Sequence, residues 1–208
     1  MLIAVDAGGA LVEPTPGCEA YCPGCHQRLI PRCGQIKVWH FAHRGVGDCD
    51  SWAEAENEWT ASWKRIVGPD RRDRWLNGHR ADMLMPRGFP VILRYSGTSA
   101  DEIEEREAHF GEMVWIFDVR RAYDDERLIL REKRGEGGTY FTFRWKHARV
   151  SLAYARQDVV LDVGATGVLF LKKIYPEAPV GGWGYFLSRE EVVRQLLLPP
   201  PVPRPSRE

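Results

Sequence analysis

Apolar and polar residues alternate over the first twelve positions around Ala7-Gly8-Gly9, a pattern that predicts a short β-hairpin. A cysteine-bearing stretch from Cys18 to Cys49 follows, and after it Trp52, Trp59, Trp63 and Ile66 mark one apolar stripe at helical spacing. Ser51, with Glu54 three residues on, has the form of a capping box. The helix is therefore expected to start at Asp50-Ser51 and to end near Gly68-Pro69. Three β-like runs come next, at 74–76, 80–85 and 90–95, with turns at Gly78 and Arg87-Gly88. Ser99 and Glu102 repeat the cap spacing ahead of a second helix over about 100–110, and 113–118 is a short apolar run of the buried-strand kind.

The second half reads as strands at 140–145, 150–154, 159–163 and 168–174, then a last helix capped by Ser188 with Glu191 and running to about residue 198. Five prolines among residues 199–208 predict an extended tail. Helix, strands, helix and strand make one α/β (α+β) core. The expected division is a hairpin and cysteine region at 1–49, a core at 50–122, a β-rich C-terminal extension with its terminal helix at 123–198, and the tail.

Composition changes this picture little. Lys plus Arg and Asp plus Glu number 29 each, so net charge names no partner, and a nucleic-acid binder would need a local basic face. The opening MLIAVDAGG has no basic segment followed by a long apolar one, and no run of roughly 18 apolar residues occurs, so a cytoplasmic protein without membrane contact is expected. Thiols stay reduced in that compartment, where clustered cysteines are metal ligands before they are disulfides.

The candidate metal ligands are two pairs. Cys22-Pro-Gly-Cys25 is followed, after fourteen residues, by His40-Phe-Ala-His43. Structural zinc takes four N or S ligands in a closed tetrahedron. The Pro-Gly bend aims both thiolates at one point, and two histidines three apart converge if they lie on a helical turn. The spacing differs from that of DNA-reading fingers, which favours a structural staple. Cys18, Cys33 and Cys49 remain as alternative ligands.

These residues, in order, resemble a known family. Cys22-Pro-x-Cys25, His40-Phe-Ala-His43, an acidic helix with Trp63-Lys64, His79-Arg-Ala-Asp82, Ser96, Ser99 and Trp115-Ile-Phe-Asp118 are similar to the CoiA-like competence proteins. The resemblance implies a restriction-endonuclease-like, PD-(D/E)XK core behind a zinc knuckle, with DNA, single- or double-stranded, as partner. In that fold paired acids hold Mg²⁺ or Mn²⁺, which activates a water at neutral pH. Asp82 matches the first acid, and Glu56 and Asp73 match further acidic positions. Lys64, His79, Arg80 and Arg94 are the matching candidates for DNA contact.

The chain departs from the pattern where the family carries Glu-x-Gln-x-Ser. Here Ile92, Arg94 and Ser96 stand at those positions, and Thr60 replaces a histidine of the first helix. Isoleucine cannot bind a cation. The expectation is a DNA-binding protein with a degenerate nuclease core. An active Mg²⁺ nuclease using a relocated acid, such as Asp101, Glu102 or Glu105, is the alternative, and a protein–protein adaptor that keeps only the scaffold is another. The tryptophan stripe reads as core rather than as a base-stacking platform. The basic groups at Arg120-Arg121, Arg131, Lys133-Arg134 and Arg144-Trp-Lys146-His147 read either as phosphate contacts or as charges guarding strand edges.

Overall fold

The computed structural model describes residues 1–45, 49–148, 150–177 and 179–197. The strands are β1 (Ala4–Val5), β2 (Leu11–Val12), β3 (Leu29–Arg32), β4 (His40–His43), β5 (Arg72–Leu76), β6 (His79–Leu84), β7 (Pro90–Arg94), β8 (Val114–Asp118), β9 (Leu128–Gly135), β10 (Gly138–Trp145), β11 (Asp158–Asp162), β12 (Val168–Tyr175) and β13 (Gly181–Leu187). The α-helices are α1 (Glu58–Lys64), α2 (Ala100–Phe110), α3 (Arg120–Asp124) and α4 (Arg189–Val192). Nine strands form one sheet, ordered β5-β6-β7-β8-β11-β12-β13-β10-β9. The molecule is mixed α+β, mostly sheet with few helices.

Only β7, β8 and β11 run parallel; every other ladder of the sheet is antiparallel. Strand β8 shows why its sequence carries no alternation. Val114 and Ile116 pack with Trp59 and Trp63 of α1, whereas Trp115 and Phe117 pack on the opposite face with Ile103 of α2. A strand covered on both sides reads as an unbroken apolar run. One sheet joins both halves of the chain, since β11, β12, β13, β10 and β9 continue directly from β8.

Several predicted elements have shifted limits. The hairpin (β1–β2), the three runs β5–β7, helix α2 with its Ser99 cap and strand β8 form where expected. The first helix does not start at Ser51. It starts at Glu58, where the Asn57 side chain accepts the Thr60 N–H and the Thr60 hydroxyl accepts the Asn57 N–H. Residues 53–57 form no regular element; Glu54 pairs with Arg94 of β7, and Glu56 with Lys64 at the far end of α1. Glu54, the acid of the expected capping box at Ser51, is taken by Arg94 instead.

Residues 150–154 are not a strand. Val150 makes a single bridge to Thr98, and Leu152–Tyr154 curl into a 3-10 turn that seats Leu152 in the core. Four strands escaped the sequence pattern: β3 and β4 in the cysteine region, and β9 and β13 in the second half. Strand β9 reads as charged, and β13 as glycine-rich. In β13 the glycines answer to close approach: a Cβ on Gly184 would meet the Phe170 carbonyl, and one on Gly182 the Lys173 carbonyl. The last helix forms from Ser188 with a complete capping box and winds on as a π-type turn to Leu197. Its expected end at residue 198 and the proline-rich tail at 199–208 lie outside the described residues.

Candidate metal centre and an acidic site filled by lysine

The N-terminal module is a small layer on the edge of the sheet, built on Met1, Ala4, Ala20, Cys22, Leu29 and Phe41 with Trp75 of β5 beside them. Its knuckle closes through the backbone: the Cys22 N–H donates to Gln27 O at 2.9 Å, and the His26 N–H to Cys22 O at 2.9 Å. Gly24 is needed because the Trp75 ring lies where its Cβ would be. The Gly24 N–H points at Cys22 Sγ from 3.4 Å.

Four ligand atoms converge here, from Cys22, Cys25, His43 and Cys49, all within 4.8 Å of one another. Cys22 Sγ lies 3.6 Å from Cys49 Sγ, and Cys25 Sγ lies 3.3 Å from His43 Nε2. Those separations are close to the ~3.7 Å edge of a tetrahedron whose bonds have zinc–sulfur length. Burial pushes the Cys22 and Cys49 thiols up, and at Cys49 the neighbouring Cys22 and Cys25 thiols add to the effect. Burial opposes ionisation of Cys25 too, but the Gln27 N–H, His43 and the neighbouring thiols hold it down to about 7. Three thiols and one imidazole fit structural zinc, because a divalent cation compensates the thiolate charge that burial opposes.

His40 does not join them. The predicted convergence assumed a helical turn, but His40-Phe-Ala-His43 is strand β4, where residues three apart face opposite ways. His40 Nδ1 lies 2.8 Å from Val38 O instead, and Cys49 completes the set. Cys18 and Cys33 stay outside it.

The expected acids also converge, on a lysine. Lys64, at the end of α1, places Nζ 2.5 Å from Glu56 Oε1, 2.8 Å from Asp73 Oδ1 and 2.9 Å from Asp82 Oδ1. The ammonium donates hydrogen bonds to Glu56 and Asp73 and forms an ion pair with Asp82. The Lys64, Glu56 and Asp73 side chains are at most 1% exposed, and Asp82 19%. Arg80 Nε stands 3.8 Å behind Asp73. Burial alone would raise the Glu56 carboxyl, but Lys64, the Met1 amine and Arg80 hold it well below the usual carboxylate range. Burial likewise works against the Lys64 charge, and Asp73, Asp82 and Glu56 together push that amine well above its ordinary value.

The remaining oxygens of these acids serve the backbone. Asp73 Oδ2 accepts the N–H groups of Leu2 at 2.6 Å and Ile3 at 3.2 Å, tying the N-terminal module to the sheet. Asp82 Oδ2 accepts the Leu93 N–H at 2.9 Å. Glu56 Oε2 accepts the Thr60 hydroxyl at 3.1 Å, so the residue in the histidine position steadies an acid of the cluster. The position between the acids at which Mg²⁺ or Mn²⁺ was expected is occupied by protein nitrogen.

A second ionic layer lies alongside. Arg94 reaches Glu54 at 3.1 Å and Glu102 at 2.5 Å, and Glu102 also pairs with Arg106 at 2.6 Å. Ser96 donates to Glu54. Ile92 is buried with Ile103 and Trp115. Glu102, one of the acids considered for relocation, is thus neutralised by two guanidinium groups. Of the four DNA-contact candidates, Lys64, Arg80 and Arg94 are buried. His79 is half-buried, stacked on Trp52 at 3.4 Å, with Nδ1 2.9 Å from Asp50. Trp59 and Trp63 belong to the core, and both indole N–H groups donate to the buried Asp162 at 2.8 Å.

Residues 18–51 match the model of a family described as "Competence protein CoiA, N-terminal domain", and this supports a CoiA-like family for the chain. The matched segment contains all four converging metal ligands. No curated protein and no solved structure matches the chain significantly. No helix among the described residues is long and apolar enough to cross a membrane.

Proposed function

We propose that this chain is a zinc-stapled DNA-binding protein on a nuclease-like scaffold, whose catalytic cation site is replaced by Lys64. The carrying observation is the single ammonium hydrogen-bonded to Glu56 and Asp73 and ion-paired with Asp82. Phosphodiester hydrolysis by a PD-(D/E)XK site needs a divalent ion that binds the phosphate and lowers the pKa of a water. Magnesium keeps several exchangeable positions at ~2.0–2.1 Å around it, whereas an ammonium has none to offer. Lys64 supplies the charge that holds the acids together and withholds the chemistry. Ile92 in place of the second strand acid and Arg94 in place of the amide agree with the same reading. DNA as partner is supported by the CoiA-like match and by the ordered motifs around Asp82.

The test is a low-salt gel-shift with single- and double-stranded DNA, run beside cleavage assays in Mg²⁺ or Mn²⁺. Retarded but intact DNA is the expected result. Cleavage that vanishes in Asp82→Ala would establish an active nuclease and overturn the proposal.

A further inference from the structure

Beyond β8 and β11, the sheet continues into four strands, β12, β13, β10 and β9, with one face packed and the other open beyond the packed Val168, Phe170 and Leu187. Leu130, Phe141, Phe143 and Phe186 turn into the core. The alternate residues form a different surface. Register sets Arg131 of β9 beside Thr142, Thr142 beside Trp183, and Trp183 beside Lys173, a row spanning all four strands. At the ~4.8 Å spacing of paired strands this row is about 14 Å wide, with a cation at each end and an indole between them.

The neighbouring rows repeat the theme. Lys133 stands beside Tyr140, and Tyr185 beside Phe170. Arg144 and Tyr175 flank Gly181, which puts no side chain between them. Tyr140 and Trp183 meet edge to face at 5.6 Å, as do Trp183 and Tyr185 at 5.9 Å. A groove of about 380 Å³ runs between these rings and the β9–β10 turn. Lys172 Nζ lies 4.5 Å from the Phe170 ring and Lys173 Nζ 5.6 Å from the Tyr175 ring, so the ammonium groups stay level with the aromatic surface. Arg131, Lys133, Arg144 and Lys173 are all exposed, and Tyr175 and Tyr185 are 42% and 38% exposed.

Edge protection accounts for charges on β9, the outermost strand. It does not account for Arg144 on β10 or Lys173 on β12, which are inner strands. A protein-docking face is depleted of charge at its centre. This face instead interleaves cations with rings, and its strand positions carry no acid; Glu132 belongs to the alternate set that includes Leu130. Cations at phosphate reach among open aromatic rings are what a flexible polyanion with stackable bases requires.

We infer that this face binds single-stranded DNA, with Trp183, Tyr185, Tyr140 and Tyr175 stacking bases while Arg131, Lys133, Arg144 and Lys173 neutralise phosphates. The inference deepens the DNA-binding reading and rests on it. It also fits with a closed acidic site, because the face lies on strands other than those carrying Asp73 and Asp82.

The experiment is a fluorescence-anisotropy titration of the full chain with labelled oligo(dT) of about 15 nucleotides, within the ~4–16-nucleotide range of single-strand sites. A duplex of equal length is the comparison. Trp183→Ala is expected to weaken oligo(dT) binding about 10-fold, the size of one lost base stack. Lys173→Gln should lower the slope of log K against log salt by about 0.7. Thermal melting checks folding, and Tyr185→Ala, at an exposed position, replaces Trp183→Ala if that variant does not fold. Wild-type binding that neither substitution changes overturns this face while leaving DNA binding intact, as does binding of duplex alone. A wild-type protein that binds neither DNA overturns the DNA-binding reading itself. A dimer that Trp183→Ala dissociates would assign the face to a second copy of the chain and overturn the inference.

Discussion

Two sites in this molecule each gather four ionisable side chains, yet they differ in what completes them. At the N-terminal knuckle three thiols and an imidazole converge with no positive side chain among them. Beside the sheet three carboxylates converge on Lys64, with the Met1 amine 3.4 Å from Glu56 and Arg80 3.8 Å from Asp73 adding to the compensating charge. The count of ligand-type residues is the same kind of signal in both. The charge balance separates them: the first set calls for an external cation, and the second is satisfied within the chain. A cluster of acids therefore points to a metal only when no ammonium or guanidinium fills its centre.

The largest effect that could break this contrast concerns the knuckle. Structural zinc in small modules supplies about 10–16 kcal/mol of apparent binding energy, which is folding energy. Cys49→Ser is expected to release the zinc and unfold residues packed on Cys22 and Phe41, whereas His40→Ala should retain full stoichiometry. Elemental analysis of both purified variants decides. Zinc kept by Cys49→Ser and lost by His40→Ala would restore the pairing read from the sequence.

A smaller effect is expected at the acidic site. Lys64→Met leaves buried carboxylates without their partner and should cost about 3–5 kcal/mol, read as a fall in urea midpoint. Lys64→Ala also removes the side chain that excludes a cation. Millimolar Mn²⁺ should then raise the melting temperature of Lys64→Ala while leaving wild type unmoved. Equal stabilisation of wild type would mean that the site accepts metal with lysine present.

The smallest expected effect is on pH dependence. Glu56 is held below its ordinary range in the fold, so its contribution is fully present above the unfolded carboxylate value near pH 4.3. It is lost as pH falls through the folded value. Glu56→Gln has no such titration, and its unfolding free energy should fall less steeply than that of wild type below about pH 4. Urea midpoints from pH 5 downward compare the two slopes, and parallel curves would refute the depressed ionisation.

Short-range features were legible from the chain alone. Alternation gave the first hairpin, the Ser99 cap placed α2, and a Cys-x-x-Cys turn announced the metal module. The motif around Asp82 pointed to the acids that do come together. What stayed hidden was decided at a distance. His40 and His43 diverge because β4 is a strand paired with β3, a fact that two residues three apart cannot carry. The first helix starts late because Glu54, the acid of the expected cap, answers to Arg94 across the fold.

Sequence by itself determined which chemical groups this protein owns: the thiols, the acids, and the isoleucine and arginine standing where acid and amide are expected. Tertiary structure decided what each group faces. Lys64 reads along the chain as a basic residue beside Trp63, free to meet DNA. Only the return of β5 and β6 next to α1 surrounds it with Asp73 and Asp82, because Coulomb pairing in a water-poor interior depends on distance in space rather than along the chain.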